Sequence, residues 1–150
     1  MQCGQAGIAL IDKWEGDKLT AYKCPAGKWT ISRGVTGSMV HPGMTITQAQ
    51  SDAMFAAARA LRDVSLAHLL AGKPTTQNQY DGLFALMYNI GSPNLATSTV
   101  LHLHLAGDYV GAAKSFRKWI YIHVNGVPMI EPGLVSRRAD EARLYAGEFA

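Results

Sequence analysis

The strongest constraint on the fold is a long capped helical run in the middle of the chain. Thr47-Gln48-Ala49-Gln50 is a capping box. The threonine side chain can accept from the amide three residues on, and the glutamine can reach back to the threonine amide. A run rich in Ala and Leu follows from about residue 48 to 71, and Gly72-Lys73-Pro74 stops it. Met54, Ala58, Leu61, Val64 or Ser65, and His68 fall on one side at helical spacing, the side expected to pack. Strand-like sequence precedes this helix and helical sequence follows it. The pattern predicts one α+β domain: a small sheet-bearing lobe at about 15–47, a linking helix at about 48–71, and a helical lobe at about 72–150 that also takes in the N-terminal helix.

The flanks fill in this outline. Residues 5–14 read as a short amphipathic helix with Ile8, Ile11 and Trp14 on one face, ended by Glu15-Gly16. Leu19, Ala21, Trp29, Ile31 and Val35 alternate loosely with polar residues, and Pro25-Ala26-Gly27 and Thr36-Gly37-Ser38 supply turns. That predicts two or three short antiparallel strands, too few to be stable without helices against them. Thr76-Gln77-Asn78-Gln79 is a second capping box, and Tyr80, Leu83, Phe84, Met87 and Tyr88 mark the core face of the helix beyond it. Asn89-Ile90-Gly91-Ser92-Pro93 ends that helix. Shorter helices are expected at 98–106, closed by Gly107, and at 109–119, begun by Asp108. Residues 120–130 alternate about Asn125-Gly126, a hairpin signal. Glu131-Pro132-Gly133 is expected to break the chain before a last helix at 134–147.

Composition narrows the functional classes. A chain of 150 residues, 48% hydrophobic and 17% charged, can bury a core without disulfides or a structural metal. The two cysteines, Cys3 and Cys24, make no disulfide framework, and no CxxC or HExxH zinc pattern occurs. A Cys3–Cys24 bridge is conceivable, but free thiols are the expectation in a reducing cytosol. A net charge of +3 suits a polyanion, be it nucleic acid, an anionic membrane surface or an acidic cell wall, without discriminating among them. No targeting segment is visible, so the chain is expected to be cytosolic when made.

The spacing with most chemical content is Glu15, eight residues, Cys24, five residues, Thr30. Cleaving a glycosidic bond needs a proton donor on the leaving oxygen and a group to manage the anomeric carbon. Glu15, at a helix end beside Trp14, is the candidate donor, and desolvation there would raise its pKa. Taken alone it could equally be an exposed helix-end glutamate. Cys24 could be a buried small hydrophobe, or a thiol beside a nucleophilic water. Lys23 and Lys28 are close in sequence and would lower its pKa if close in space. Thr30 can both donate to and accept from one water. In a strand it would share a face with Lys28 and Ser32, while Trp29 and Ile31 would point to the core. Asp17 reads as a turn residue. His102 and His104 are two apart, on different helix faces, and Ser98 and Ser136 have no GxSxG context. Arg137-Arg138 with Glu141 reads either as a solvated charged face or as guanidinium groups that pair with Glu15 or contact substrate.

These landmarks resemble the bacteriophage lysozymes, the endolysins of glycoside hydrolase family 24, whose pattern is Glu, eight residues, Asp or sometimes Cys, five residues, Thr. Ala21-Tyr22, Cys24-Pro-Ala-Gly and Trp29-Thr30-Ile31 are similar to that family's entry into its small sheet. Thr45-Ile46-Thr47 with Gln50, Gln79-Tyr80-Asp81-Gly82-Leu83 and Tyr88-Asn89-Ile90-Gly91 follow in family order. So do Ser98-Thr99-Val100-Leu101, Trp119, and Gly133-Leu134-Val135-Ser136-Arg137-Arg138 with Glu141.

The resemblance implies a lysozyme-like α+β fold with a cleft between its lobes. It implies inverting hydrolysis of the β-1,4 bond between N-acetylmuramic acid and N-acetylglucosamine in peptidoglycan. No cofactor or metal, no nucleic acid, no stable membrane insertion and a monomeric state are expected. The catalytic positions would be Glu15, Cys24 and Thr30, and Tyr88, Asn89 and Arg137 would line or buttress the cleft. The protein would wait in the host cytoplasm until a separate pore-former opened the membrane. Alternatives are a lytic transglycosylase on the same bond and a catalytically silent wall-binding module. One departure stands out: the family's glycine-tyrosine-glycine-histidine is here Ser32-Arg33-Gly34-Val35. No histidine role carries over, and Arg33 adds a positive charge expected near the cleft entrance.

Overall fold

In the computed structural model, which describes residues 1–148, Thr47 and Gln50 exchange both capping hydrogen bonds. Helix α2 (Gln48–Leu70) starts there. Its buried side chains are Ser51, Phe55, Leu66 and Leu70, whereas Leu61 and Val64 are 72% and 71% exposed. The packed side is thus rotated from the expected one. An alanine-rich helix has a shallow hydrophobic profile, so its neighbours select the face it buries. The chain falls into two units, residues 11–61 and residues 1–10 with 62 onward; their boundaries lie within α1 (Gln5–Glu15) and α2.

In the unit at 11–61, β1 (Lys18–Lys23), β2 (Trp29–Ser32) and β3 (Val35–Thr36) form an antiparallel sheet in that order. Lys18 opposes Ser32 while Tyr22 opposes Thr30, so β1 is bulged between them. On its other edge β1 pairs Thr20 with Thr45, with Ala21 N–H donating to Met44 C=O and Leu19 C=O accepting from Ile46 N–H. Ile31, Val40 and Ile46 are buried together, with Leu19, Ala21, Trp29, Met44 and Met54 packed on them. Trp29 and Ile31 therefore face this core, as the strand alternation predicts.

The other unit is built on α3 (Gln77–Ile90), whose second capping box forms at Thr76 and Gln79. Every residue from Tyr80 to Tyr88 is buried. Toward the N-terminus the part of α1 in this unit buries Gly7 and Leu10, with Ile8 only half-buried. The Gly4 N–H donates to Asp81 Oδ1 at 2.8 Å. Helices α4 (Ser92–Ala96), α5 (Thr99–Ala106) and α6 (Tyr109–Ser115) follow. The sequence reading missed α4: Pro93 sits in its first turn, where a missing N–H is no loss. Helix α6 is shorter than expected and passes into a 3₁₀ turn at Phe116–Lys118. Strands β4 (Tyr121–Val124) and β5 (Val127–Ile130) form the expected hairpin, with Asn125 and Gly126 at φ 50° and 77° in its two-residue turn. Helix α7 (Pro132–Ala146) begins earlier than expected, because Glu131 caps Gly133 and Pro132 opens the helix instead of breaking it. Among the described residues no helix is long and apolar enough to cross a membrane.

Gly82 lets α3 lie close against α7. A Cβ built there would come within 2.6 Å of Tyr145 Cβ, 2.9 Å of Tyr145 Cα and 3.0 Å of the Glu141 carbonyl. Two of these neighbours are backbone atoms, so little can yield. Gly82→Ala is expected to destabilise the protein by about 1–3 kcal/mol despite alanine's better helix propensity, read as a lower urea midpoint at unchanged m-value.

Candidate active site

Glu15 is the last residue of α1. Gly16 follows at φ +67° and donates its N–H to the Asp12 carbonyl, which ends the helix. The Glu15 carboxylate lies against the β2–β3 turn: a Cβ on Gly34 would sit 2.8 Å from Glu15 Oε2. Gly34, at φ +72°, lacks a side chain where the carboxylate needs the space.

Cys24 opens the β1–β2 loop. Its N–H donates to Lys28 C=O at 2.9 Å, and its C=O accepts from Gly27 N–H at 2.8 Å. Register places Tyr22 directly across from Thr30, and paired residues project on one face. Cys24, two residues beyond Tyr22, continues that row by strand alternation. Burial and the charges of Glu15 and Cys24 raise the Tyr22 pKa, so both groups lie within electrostatic reach of its hydroxyl. Glu15, Tyr22, Cys24 and Thr30 thus gather in one unit. Tyr22 was not among the expected site residues, although its place two before Cys24 on a strand was a readable signal of its proximity.

The thiol of Cys24 is held below its ordinary pKa. The largest cause is a hydrogen bond from the Lys28 backbone N–H. Partial desolvation opposes it, and the Ala26 N–H, the Thr30 hydroxyl and the Lys28 charge add to the lowering. The lysine expectation holds for Lys28, whose charge adds a smaller Coulombic part than the backbone amides, whereas Lys23 lies over the Trp29 ring at 5.6 Å. Thr30 is buried, and its hydroxyl also donates to the Lys28 carbonyl at 3.0 Å. One hydroxyl proton has two possible acceptors, so it can turn to the sulfur when the thiolate forms. Neither Cys3 nor Cys24 is in a disulfide.

A pH profile tests the Cys24 environment. Alkylation by iodoacetamide is expected to have its midpoint below that of an ordinary thiol in the folded protein, and to rise to the ordinary value in denaturant. A Lys28→Met variant should keep most of the depression, because the backbone donors remain. A return to the ordinary value in that variant would make the lysine charge dominant.

Arg33 is a partnered charge. Its Nε lies 3.1 Å from Asp12 Oδ1, and its Nη1 lies 2.8 Å from Asp52 Oδ1 and 3.7 Å from Asp17 Oδ2. Asp17 is more than a turn residue as well. Burial pushes its carboxyl up, but hydrogen bonds from Ser51 and Gln48 and the Arg33 charge hold it below its ordinary value. Ser32, buried at φ +58°, donates to the Ser51 carbonyl at 3.1 Å. These partners lie from about sixteen to 34 residues apart in sequence, which left no local signal.

The other expected site residues lie in the helical unit. Arg137, Arg138 and Glu141 are buried, which rules out the solvated-face reading. Glu141 pairs with Arg137 Nε and Arg138 Nε, each at 3.1 Å. Arg138 Nη2 donates to Asn89 Oδ1 at 2.7 Å, so Asn89 and Arg137 are linked through Arg138 and Glu141. Tyr88 is buried, with the Arg62 guanidinium 4.2 Å from its ring centre.

Comparison with known proteins identifies the family. The phage lysozyme family profile matches residues 12–141. An endolysin of Acyrthosiphon pisum secondary endosymbiont phage 1 is 39% identical, over 97% of this chain and 98% of its own. The endolysin of Bacillus phage B103 is 36% identical over 97% of this chain, which spans only 54% of that longer protein. Among solved structures, the muramidase domain of SpmX from Asticcacaulis excentricus superposes with a TM-score of 0.88 at 30% identity, covering 96% of this chain and 97% of that one. The chain belongs to the phage lysozyme family: it has the lysozyme-like α+β fold and is a glycoside hydrolase of the endolysin type.

Proposed function

We propose that the chain hydrolyses the β-1,4 bond between N-acetylmuramic acid and N-acetylglucosamine in peptidoglycan, with inversion at the anomeric carbon. The observation that carries this reading is the grouping of Glu15, Cys24 and Thr30 about Tyr22 on one small sheet unit. Glu15 donates a proton to the glycosidic oxygen as the carbon–oxygen bond breaks. A water oxygen bonds to the anomeric carbon, and the water's proton passes to the Cys24 thiolate. The Thr30 hydroxyl holds that water and the sulfur in register. The depressed thiol makes its base form available nearer neutrality than an ordinary cysteine would.

Tyr88, Asn89 and Arg137 contact the glycan or support residues that do. The net charge of +3 suits an acidic wall polymer. The protein acts as a monomer and waits in the host cytoplasm until a separate pore-former opens the membrane. Mass spectrometry of muropeptides released from purified sacculi tests the reading. Products with a reducing muramic acid end are expected. A 1,6-anhydro end would instead make the protein a transglycosylase, and sedimentation with sacculi without release would make it a wall-binding module.

A further inference from the structure

We propose that Arg33 is a positioning residue for the proton donor, acting through the Ser32–Gly34 turn. The inference rests on the reading of Glu15 as the acid. Gly34 is the part of this turn against which Glu15 Oε2 lies. Where the turn sits therefore decides where the carboxylate can sit. The turn is not held by its own preferences, since Ser32 occupies the left-handed region that non-glycine residues rarely adopt. What holds it is polar contact to three other places in the unit. The Arg33 guanidinium reaches Asp12 on α1, one turn before Glu15, and it reaches Asp17 in the link that follows Glu15. It also reaches Asp52 and, at 3.4 Å, Ser51 Oγ in the first turns of α2.

Ser51 completes the clamp. Its hydroxyl donates to Asp17 Oδ1 at 2.5 Å and lies 2.6 Å from Ser32 Oγ. Beneath, the Phe55 ring supports the guanidinium at 4.8 Å. The Arg33 side chain is only 12% exposed. One planar cation thus ties the turn to the helix that carries Glu15, with a donor fork that a lysine ammonium cannot reproduce. A carboxylate misplaced by about an ångström can cost a reaction about 100-fold, so this clamp acts on turnover more than on binding.

The test compares Arg33→Met, Arg33→Lys and Met54→Ala on soluble peptidoglycan fragments, well below the unfolding midpoint of each variant. Met54 packs in the same unit's core and has no part in the clamp. Arg33→Met is expected to lower kcat about 10–100-fold with KM within about twofold, Arg33→Lys to recover part of that loss, and Met54→Ala to leave kcat unchanged. In a Glu15→Gln background, Arg33→Met should add no further loss. The positioning role is overturned if Arg33→Met keeps its kcat, or if Met54→Ala with an equal loss of midpoint loses kcat equally. It is also overturned if the Arg33 and Glu15 effects multiply. A Glu15→Gln variant that remains active would instead overturn the reading of Glu15 itself.

Discussion

Glu15→Gln is expected to lower the rate of glycan cleavage by about 10²–10⁴-fold while leaving the unfolding midpoint close to that of the parent chain. The amide keeps the volume of the carboxyl and its place against Gly34, so the fold has little to lose. On the proposed mechanism, what disappears is the proton that the leaving oxygen needs. The loss should fall on kcat, because the proton is transferred only as the bond breaks. Release of soluble fragments from dye-labelled sacculi measures it, and circular dichroism confirms folding. A folded variant that retains more than a tenth of the parent rate would remove Glu15 from the chemistry.

The largest effect on stability is expected at Glu141, which is fully buried with two arginines on its carboxylate. Glu141→Ala leaves the Arg137 and Arg138 charges in the interior without the anion that offsets their desolvation. Breaking a buried pair from one side costs about 3–5 kcal/mol. In a chain of this length each kcal/mol moves the midpoint by roughly 2–4 °C, so a fall of roughly 6–20 °C is expected by calorimetry. Because Arg138 also donates to Asn89, the variant should loosen the end of α3. A change below about 1 kcal/mol would mean that the arginines find compensating partners or water when the glutamate is removed.

The legible and illegible parts of this chain differ in the range of the interactions that decide them. Both capping boxes, the Asn125-Gly126 turn and the helix stop at Gly107 involve side chains and amides within a few residues of one another, and each stands where local chemistry places it. The end effects of proline were harder to read. Pro93 and Pro132 look like breaks in sequence, yet each opens a helix, since a proline in a first turn gives up no hydrogen bond. The buried side of α2 was misread because a run of alanines carries too little contrast to choose a side.

The candidate site divides the same way. The chain alone determined the spacing of Glu15, Cys24 and Thr30, because short strands and a five-residue loop translate sequence distance into position almost directly. Only the folded structure decided how Cys24 ionises, because its strongest stabiliser is the Lys28 backbone amide, aimed by the conformation of the β1–β2 loop and not encoded by residue identity. The same holds for Arg33 and the Arg137–Arg138–Glu141 cluster. Whether a charged side chain is solvated or clamped depends on which carboxylates and which apolar surface the fold brings to it. Arg137 and Arg138 meet Glu141 at helical spacing, but the burial of that cluster, like the carboxylates around Arg33, is set by neighbours distant in sequence, and no local pattern names those neighbours.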